Sequence, residues 1–257
     1  MAEFDRPTIA AARAGTAAAI DEGLRSYMLK VYNYMGIGLV VTGLVAWFAN
    51  QAATTTDPSA AAAQLANGEL LTQWGVLLYT SPLMWVFALA PLAFVLVLSV
   101  GINKLSVPAA QATFWAFAAI MGLSMSSIFM VYTDASIAKV FFITAATFGT
   151  MSLYGYTTKR DLTGMGSFLM MGLIGLIIAS IVNIFLASSM LEFAISAIGV
   201  LIFVGLTAYD TQKIKESYDE RMGSDVLAKG AIMGALSLYL DFINLFMMLL
   251  RLFGNRE

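Results

Sequence analysis

Seven stretches of about 20 apolar residues dominate this chain, and each is long enough to cross a bilayer as a helix. They run over roughly residues 31–49, 83–102, 110–132, 136–156, 167–187, 190–210 and 230–250. The fold class expected is an all-α integral membrane protein with seven transmembrane helices. Charged residues make up 12% of the 257 residues and hydrophobic residues 60%. Soluble domains carry about 25% charged residues, so composition agrees with the span pattern.

The spans frame one exceptional residue. Asp241 lies in the middle of AIMGALSLYLDFINLFMMLLRLFG, and Asp210 ends the preceding run, AISAIGVLIFVGLTAYD. A carboxylate at mid-bilayer depth costs about 3 kcal/mol on insertion scales, so it is kept with a partner or a task. At helical spacing Gly230, Gly234, Ser237, Asp241, Asn244 and Met248 share one stripe. Small and polar residues on one face mark close helix packing, which turns Asp241 into the bundle. Asn244, one turn away, is positioned to donate a hydrogen bond to that carboxylate. The Leu, Phe and Ile side should face outward or pack on bulkier neighbours, with Leu249 at lipid or the bundle edge.

Weaker stripes recur elsewhere. The sixth span carries Glu192, Ser196, Gly199, Phe203, Thr207 and Asp210, the fifth Gly172, Gly175, Ala179 and Asn183, and the third Ser124, Ser126 and Ser127. These read as helix-packing devices, with Asn183 an interhelical polar contact that could support the aspartates. If Asp210 and Asp241 meet, they titrate as a unit, and the pair could sense pH, bind a hard cation or do aspartyl chemistry. Separation in sequence does not show that they meet. Asp210 sits at a helix end and Asp241 at mid-helix, an axial mismatch that only an offset or tilt would remove.

Other classes are excluded by what is missing. With no histidine and no cysteine, thiol chemistry, disulfides and histidine-ligated zinc or haem drop out. Proton sensing near neutral pH must then fall to carboxylates. A net charge of −2 without a basic block argues against nucleic-acid binding.

Lysine and arginine placement sets the orientation. Arg6, Arg13, Arg25 and Lys30 precede the first span, the loop of about residues 50–81 has no base, and Lys159, Arg160, Lys213, Lys215, Arg221 and Lys229 lie in alternate later connectors. This pattern places the N-terminus in the cytoplasm and the 50–81 loop outside. Arg251 and Arg256 follow the last span, so either seven full crossings put the C-terminus outside or the last segment is re-entrant. Residues 1–29 read as a cytoplasmic tail, with a short amphipathic helix from Thr16 to Lys30, and 30–257 as one transmembrane domain. The alanine–glutamine run of the external loop is expected to form a short surface helix.

The segments ALSLYLDFINLFMMLLRLFG, GLTAYDTQKIKE, FFITAATFGTMSLYGYTTKRDLTGMGSFLMMGLIGLIIASIVN and GLRSYMLKVYNYMGIGLVVTGLVAW resemble the Bax inhibitor-1 family, also called transmembrane Bax inhibitor motif proteins, in its bacterial members. The resemblance covers the chain from about residue 24 to the end. It implies two triple-helix layers around a central C-terminal helix and a pH-sensitive calcium leak, with calcium the transported species and no cofactor. It also implies a paired-aspartate sensor: Asp210 matches the acid of Tyr-Asp-x-Gln, and Asp241 that of Leu-Tyr-x-Asp-Phe-Ile-Asn. The pair would hold calcium transiently, and the bacterial inner membrane is the expected location. Some members carry a base on the second helix that pairs with the sensor. Here that span has none, and Lys104 lies past its end.

Other readings compete. Some bacterial members are described as modulators of a membrane-anchored protease, which would make this an interaction protein. An intramembrane aspartyl protease also places Tyr-Asp on one helix, but it has glycine two residues before the second acid, where Tyr239 stands here. A proton-coupled transporter would prefer helices broken at midplane, and Pro91 is the only proline so placed. No catalytic residue and no enzymatic activity is therefore expected.

Overall fold

The computed structural model describes residues 6–65 and 68–255, and over 6–21 the backbone alone. Eight helices follow in order: α1 (Arg6–Ala53), α2 (Gln73–Tyr79), α3 (Leu83–Gly101), α4 (Val107–Met125, continued by a 3-10 turn, Ser126–Met130), α5 (Asp134–Thr157), α6 (Thr163–Leu186), α7 (Ser189–Glu216) and α8 (Ser224–Phe253). All but α2 are long and apolar enough to cross a membrane, at the seven places expected from sequence.

Local chemistry sets the turns between them. Ser106, Thr133 and Ser188 each precede a helix and accept a hydrogen bond from an amide of its first turn. Such caps satisfy donors that the helix itself leaves unpaired. Asn183 closes the other side of the α6–α7 turn, its Oδ1 accepting the Ser188 amide at 3.0 Å.

Two expectations are revised. The Thr16–Lys30 segment is not a separate short helix but part of α1, which runs unbroken for 48 residues. Its alanine-rich start has the highest intrinsic helix propensity, so the apolar span extends backward. The external loop forms no alanine–glutamine helix. Instead β1 (Thr54–Thr55), β2 (Ala63–Gln64) and β3 (Leu70–Leu71) make a small antiparallel sheet in the order β1-β3-β2. A five-residue run after Pro58 is too short to nucleate a helix alone, and pairing to β3 satisfies its backbone instead.

α8 is the most buried helix, packing on α7, α1, α5 and α4 and lightly on α3. It is buried nearly all round, so the Leu and Phe side meets other helices and Leu249 is 5% exposed, not lipid-facing. α6 by contrast packs mainly on α7 and shows its outer face, with Phe185 83% exposed. The 30 residues of α8 span about 45 Å, enough for a full crossing and against a re-entrant segment. Its end ties to the start of α5, where the Asn255 amide donates to Ser136 Oγ at 2.9 Å and the Thr133 amide to the Asn255 carbonyl at 3.2 Å. The C-terminal end of α8 therefore lies on the side opposite the Lys159–Arg160 turn. Arg251 belongs to its last turn, and Arg256 falls outside the described residues.

Candidate functional site

α7 and α8 run antiparallel in a register fixed by two glycines. Gly234 packs on Ile214, and Met248 lies over Gly199. Asp210 then stands level with Ser237, about one turn (~5 Å) from Asp241. Each Cα–Cβ bond tilts toward the N-terminus of its own helix. On antiparallel neighbours the two aspartates therefore lean toward each other, which closes the axial mismatch. Each carboxyl lies close enough to feel the charge of the other.

The two members differ in setting. Asp241 is 5% exposed, and its Oδ2 is buried without a hydrogen-bond partner. Asp210 is partly exposed and feels the charge of Lys213, the next turn of its own helix. That lysine also lies 5.7 Å from the centre of the Tyr209 ring. A base near the pair thus comes from α7 itself, not from the second span.

The supporting polar residues divide. Ser237 is half-buried at the level of Asp210. Asn244 is close in sequence, but its Nδ2 donates to the Leu240 carbonyl at 2.8 Å instead of to a carboxylate. The carbonyl one turn back is within its reach without any change in helix packing. Asn183 is apart from the aspartates, at the far end of α6.

Several hydroxyls not singled out by sequence join the helices around the site. Thr211 donates its one hydroxyl hydrogen to the Thr207 carbonyl at 2.7 Å. Ser152 of α5, 3.0 Å from Thr211 Oγ1, must therefore be the donor there, and Tyr32 of α1 the donor to Ser152 at 2.6 Å. This chain reaches from α1 to the residue after Asp210. Gln212 uses both ends of its amide on the α5–α6 turn: Oε1 accepts the Leu162 amide and Nε2 donates to the Arg160 carbonyl, each at 2.8 Å. In the same turn the Thr163 hydroxyl and amide hold the exposed Asp161 carboxyl below its usual range. The only sequence signal for Gln212 was its place in Tyr-Asp-x-Gln, because its partners lie some 50 residues upstream. Tyr32 and Ser152 carried no signal.

Among the described residues no three acids cluster as a metal site would require. Two carboxylates supply fewer oxygens than the 6–8 that calcium takes. The arrangement suits a proton, or an ion in passage, better than a resident metal.

The model of the family described as "Inhibitor of apoptosis-promoting Bax1" matches residues 24–257. The inner membrane protein YbhL of Escherichia coli (strain K12) is 50% identical over 239 residues, covering 91% of this chain and 94% of that protein. A protein of Rickettsia prowazekii is 48% identical over 92% of both chains. A membrane protein of Streptococcus pyogenes is 35% identical over 92% of this chain and 96% of its own.

Proposed function

The chain belongs to the Bax inhibitor-1 family, and we propose that it is a pH-sensitive calcium leak of the bacterial inner membrane, with Asp210 and Asp241 as its proton and ion sensor. The observation that supports this reading is that two acids on adjacent, closely packed spans come within reach of each other's charge, one of them on the most buried helix. Carboxyls so placed gain and lose protons as a unit. Each step changes the charge at the centre of the bundle, and the packing of α7 on α8 and the occupancy of a cation respond to it. The unpartnered Asp241 Oδ2 is an acceptor available to a proton or a hard cation. The name of the Escherichia coli relative supports the inner membrane.

The pair is read as a sensor and not as two catalytic acids. Tyr239, where an aspartyl protease has glycine, is fully buried and bonded to Thr42, which favours the sensor reading.

The test is calcium entry into liposomes holding only this purified protein, measured across pH. A leak that varies with pH is expected. No flux at any pH from folded, inserted protein would sink the reading. The aspartates would then be helix-packing acids, and the broad apolar face of α6 would be the surface to probe for a membrane-anchored protease partner.

A further inference from the structure

A crevice of about 560 Å³ opens sideways between α1 and α5. Its apolar wall includes Met28, Leu29, Phe148 and Leu153, and Arg25 stands at one end. Leu29 and Leu153 are 52% and 63% exposed, so the crevice opens onto the lipid face of the bundle. The Tyr32–Ser152 hydrogen bond closes its inner side. Gly149 borders it, and a Cβ placed there would meet nothing within 4 Å. From Arg25 to Tyr32 the α1 wall is about 10 Å long. The volume falls in the range of roughly 300–1,000 Å³ usual for ligand pockets.

We propose that this crevice is a binding site for one phospholipid with an anionic headgroup, drawn from the leaflet on the Arg25 side. The phosphate sits on the Arg25 guanidinium, and one acyl chain lies along Met28, Leu29, Phe148 and Leu153. Charge and shape select this occupant together. Arg25 is exposed at the end of its span. A guanidinium binds phosphate oxygens in a bidentate geometry. Below it the wall is apolar over the depth that an acyl chain enters. A soluble anion would have no use for that wall, and a neutral hydrocarbon none for the arginine. The polar inner side leads through Ser152 to Thr211, beside Asp210, so the occupied crevice touches the hydroxyl chain of the candidate sensor. The lipid site does not depend on the calcium reading.

The experiment is native mass spectrometry of the purified protein with phosphatidylglycerol and phosphatidylcholine of identical chains. The parent should retain one phosphatidylglycerol with a preference of roughly five-fold over phosphatidylcholine, as expected for one base near a headgroup. Arg25→Gln should abolish the preference but keep chain binding. Gly149→Leu should fill the crevice and lose the retained lipid of either kind. Retention by Gly149→Leu equal to the parent's would overturn the site, and equal preference in Arg25→Gln would overturn the role of the arginine. Displacement of the lipid by inorganic phosphate alone would reduce the site to a simple anion site, against the proposal. Because the chain has no cysteine, a fluorophore on Gly149→Cys gives a second reading should the leucine variant not fold. Phosphatidylglycerol with brominated chains should quench it at lower mole fraction than a label on the lipid-facing Phe185→Cys. Equal quenching at both positions would mean bulk lipid only and would sink the proposal.

Discussion

Tyr239 of α8 donates its phenol hydrogen to Thr42 of α1 across 2.6 Å, deep in the bundle. The direction follows because Thr42 spends its only hydroxyl hydrogen on the Ala118 carbonyl of α4, 2.8 Å away. One threonine thus joins three helices, and the two ends of the bond are not equivalent. Tyr239→Phe removes a donor and leaves Thr42 bonded to Ala118. Its cost should be about 0.6–1 kcal/mol, the usual worth of one such bond between membrane helices. Thr42→Val keeps the shape but strands a buried phenol, at about 1–3 kcal/mol. Unfolding in mixed detergent should therefore rank Thr42→Val below Tyr239→Phe. The reverse order would mean that the donor is misassigned.

Gln212 should act on a turn that it does not belong to. Gln212→Ala leaves the Leu162 amide and the Arg160 carbonyl without their partner; water can reach the exposed Arg160, but the buried Leu162 amide is orphaned at about 1–3 kcal/mol. Amide exchange at Leu162 should speed up by at least ten-fold, since about 1.4 kcal/mol is one decade. Trypsin should cut more readily after Lys159 or Arg160. Unchanged exchange at Leu162 would remove Gln212 from that role.

Glycines separate into close contacts and open faces. A Cβ on Gly155 would overlap the Ala208 carbonyl of α7, while one on Gly175 meets nothing within 4 Å. Gly155→Ala should cost about 1–3 kcal/mol by pushing backbones apart. Gly175→Ala should be neutral or stabilise by up to about 1 kcal/mol through helix propensity. Gly234→Leu should destabilise strongly, because even its Cβ reaches within 3.0 Å of the Ile214 side chain. Leu249→Ala should cost about 2–5 kcal/mol, as for other buried leucines. Equal thermal unfolding of Gly155→Ala and Gly175→Ala would refute this sorting.

The seven spans were legible because twenty apolar residues in a row have few alternatives in a chain so poor in charge. The small-residue stripe around Gly234 and Asp241 was legible because helical spacing puts those residues on one face. What surrounds that stripe was not. Leu249 and Tyr239 lie on the apolar side of α8, and apolar side chains look alike whether they meet lipid or another helix. Only the contacts of α8 with helices from both ends of the chain decide that they are buried. Asn244 misled for a different reason: a side-chain amide on a helix always has its own backbone within reach. The axial level of the two aspartates could not be read from spacing, since it depends on a register that Gly199 and Gly234 set through partners on the opposite helix.

Orientation can be tested on a chain with no native cysteine. Thr56 and Ser224 are both exposed, on opposite ends of the bundle. By the distribution of bases, Thr56→Cys should react with an impermeant reagent in intact cells and Ser224→Cys should not. The C-terminal end of α8, bonded to Ser136, should share the side of Thr56. Labelling of Ser224→Cys in intact cells would invert the assigned topology.

The aspartate pair makes the most demanding prediction, because two different roles share one geometry. As a sensor, the pair changes charge with pH and sets the flux, so Asp210→Asn and Asp241→Asn should each flatten the flux–pH curve. The double variant should be little worse than either single one, since groups acting as a unit lose their joint function once. As a packing contact, the pair should affect stability and leave the pH profile alone. Asparagine separates the two cases. It keeps the size and most hydrogen-bonding capacity of aspartate but cannot titrate. Thermal unfolding near that of the parent together with a flat flux profile would support the sensor. Parental pH dependence in both single variants would reject it and return Asp241 to the role of a helix-packing acid, with Lys213 as the charge that acts on its neighbour.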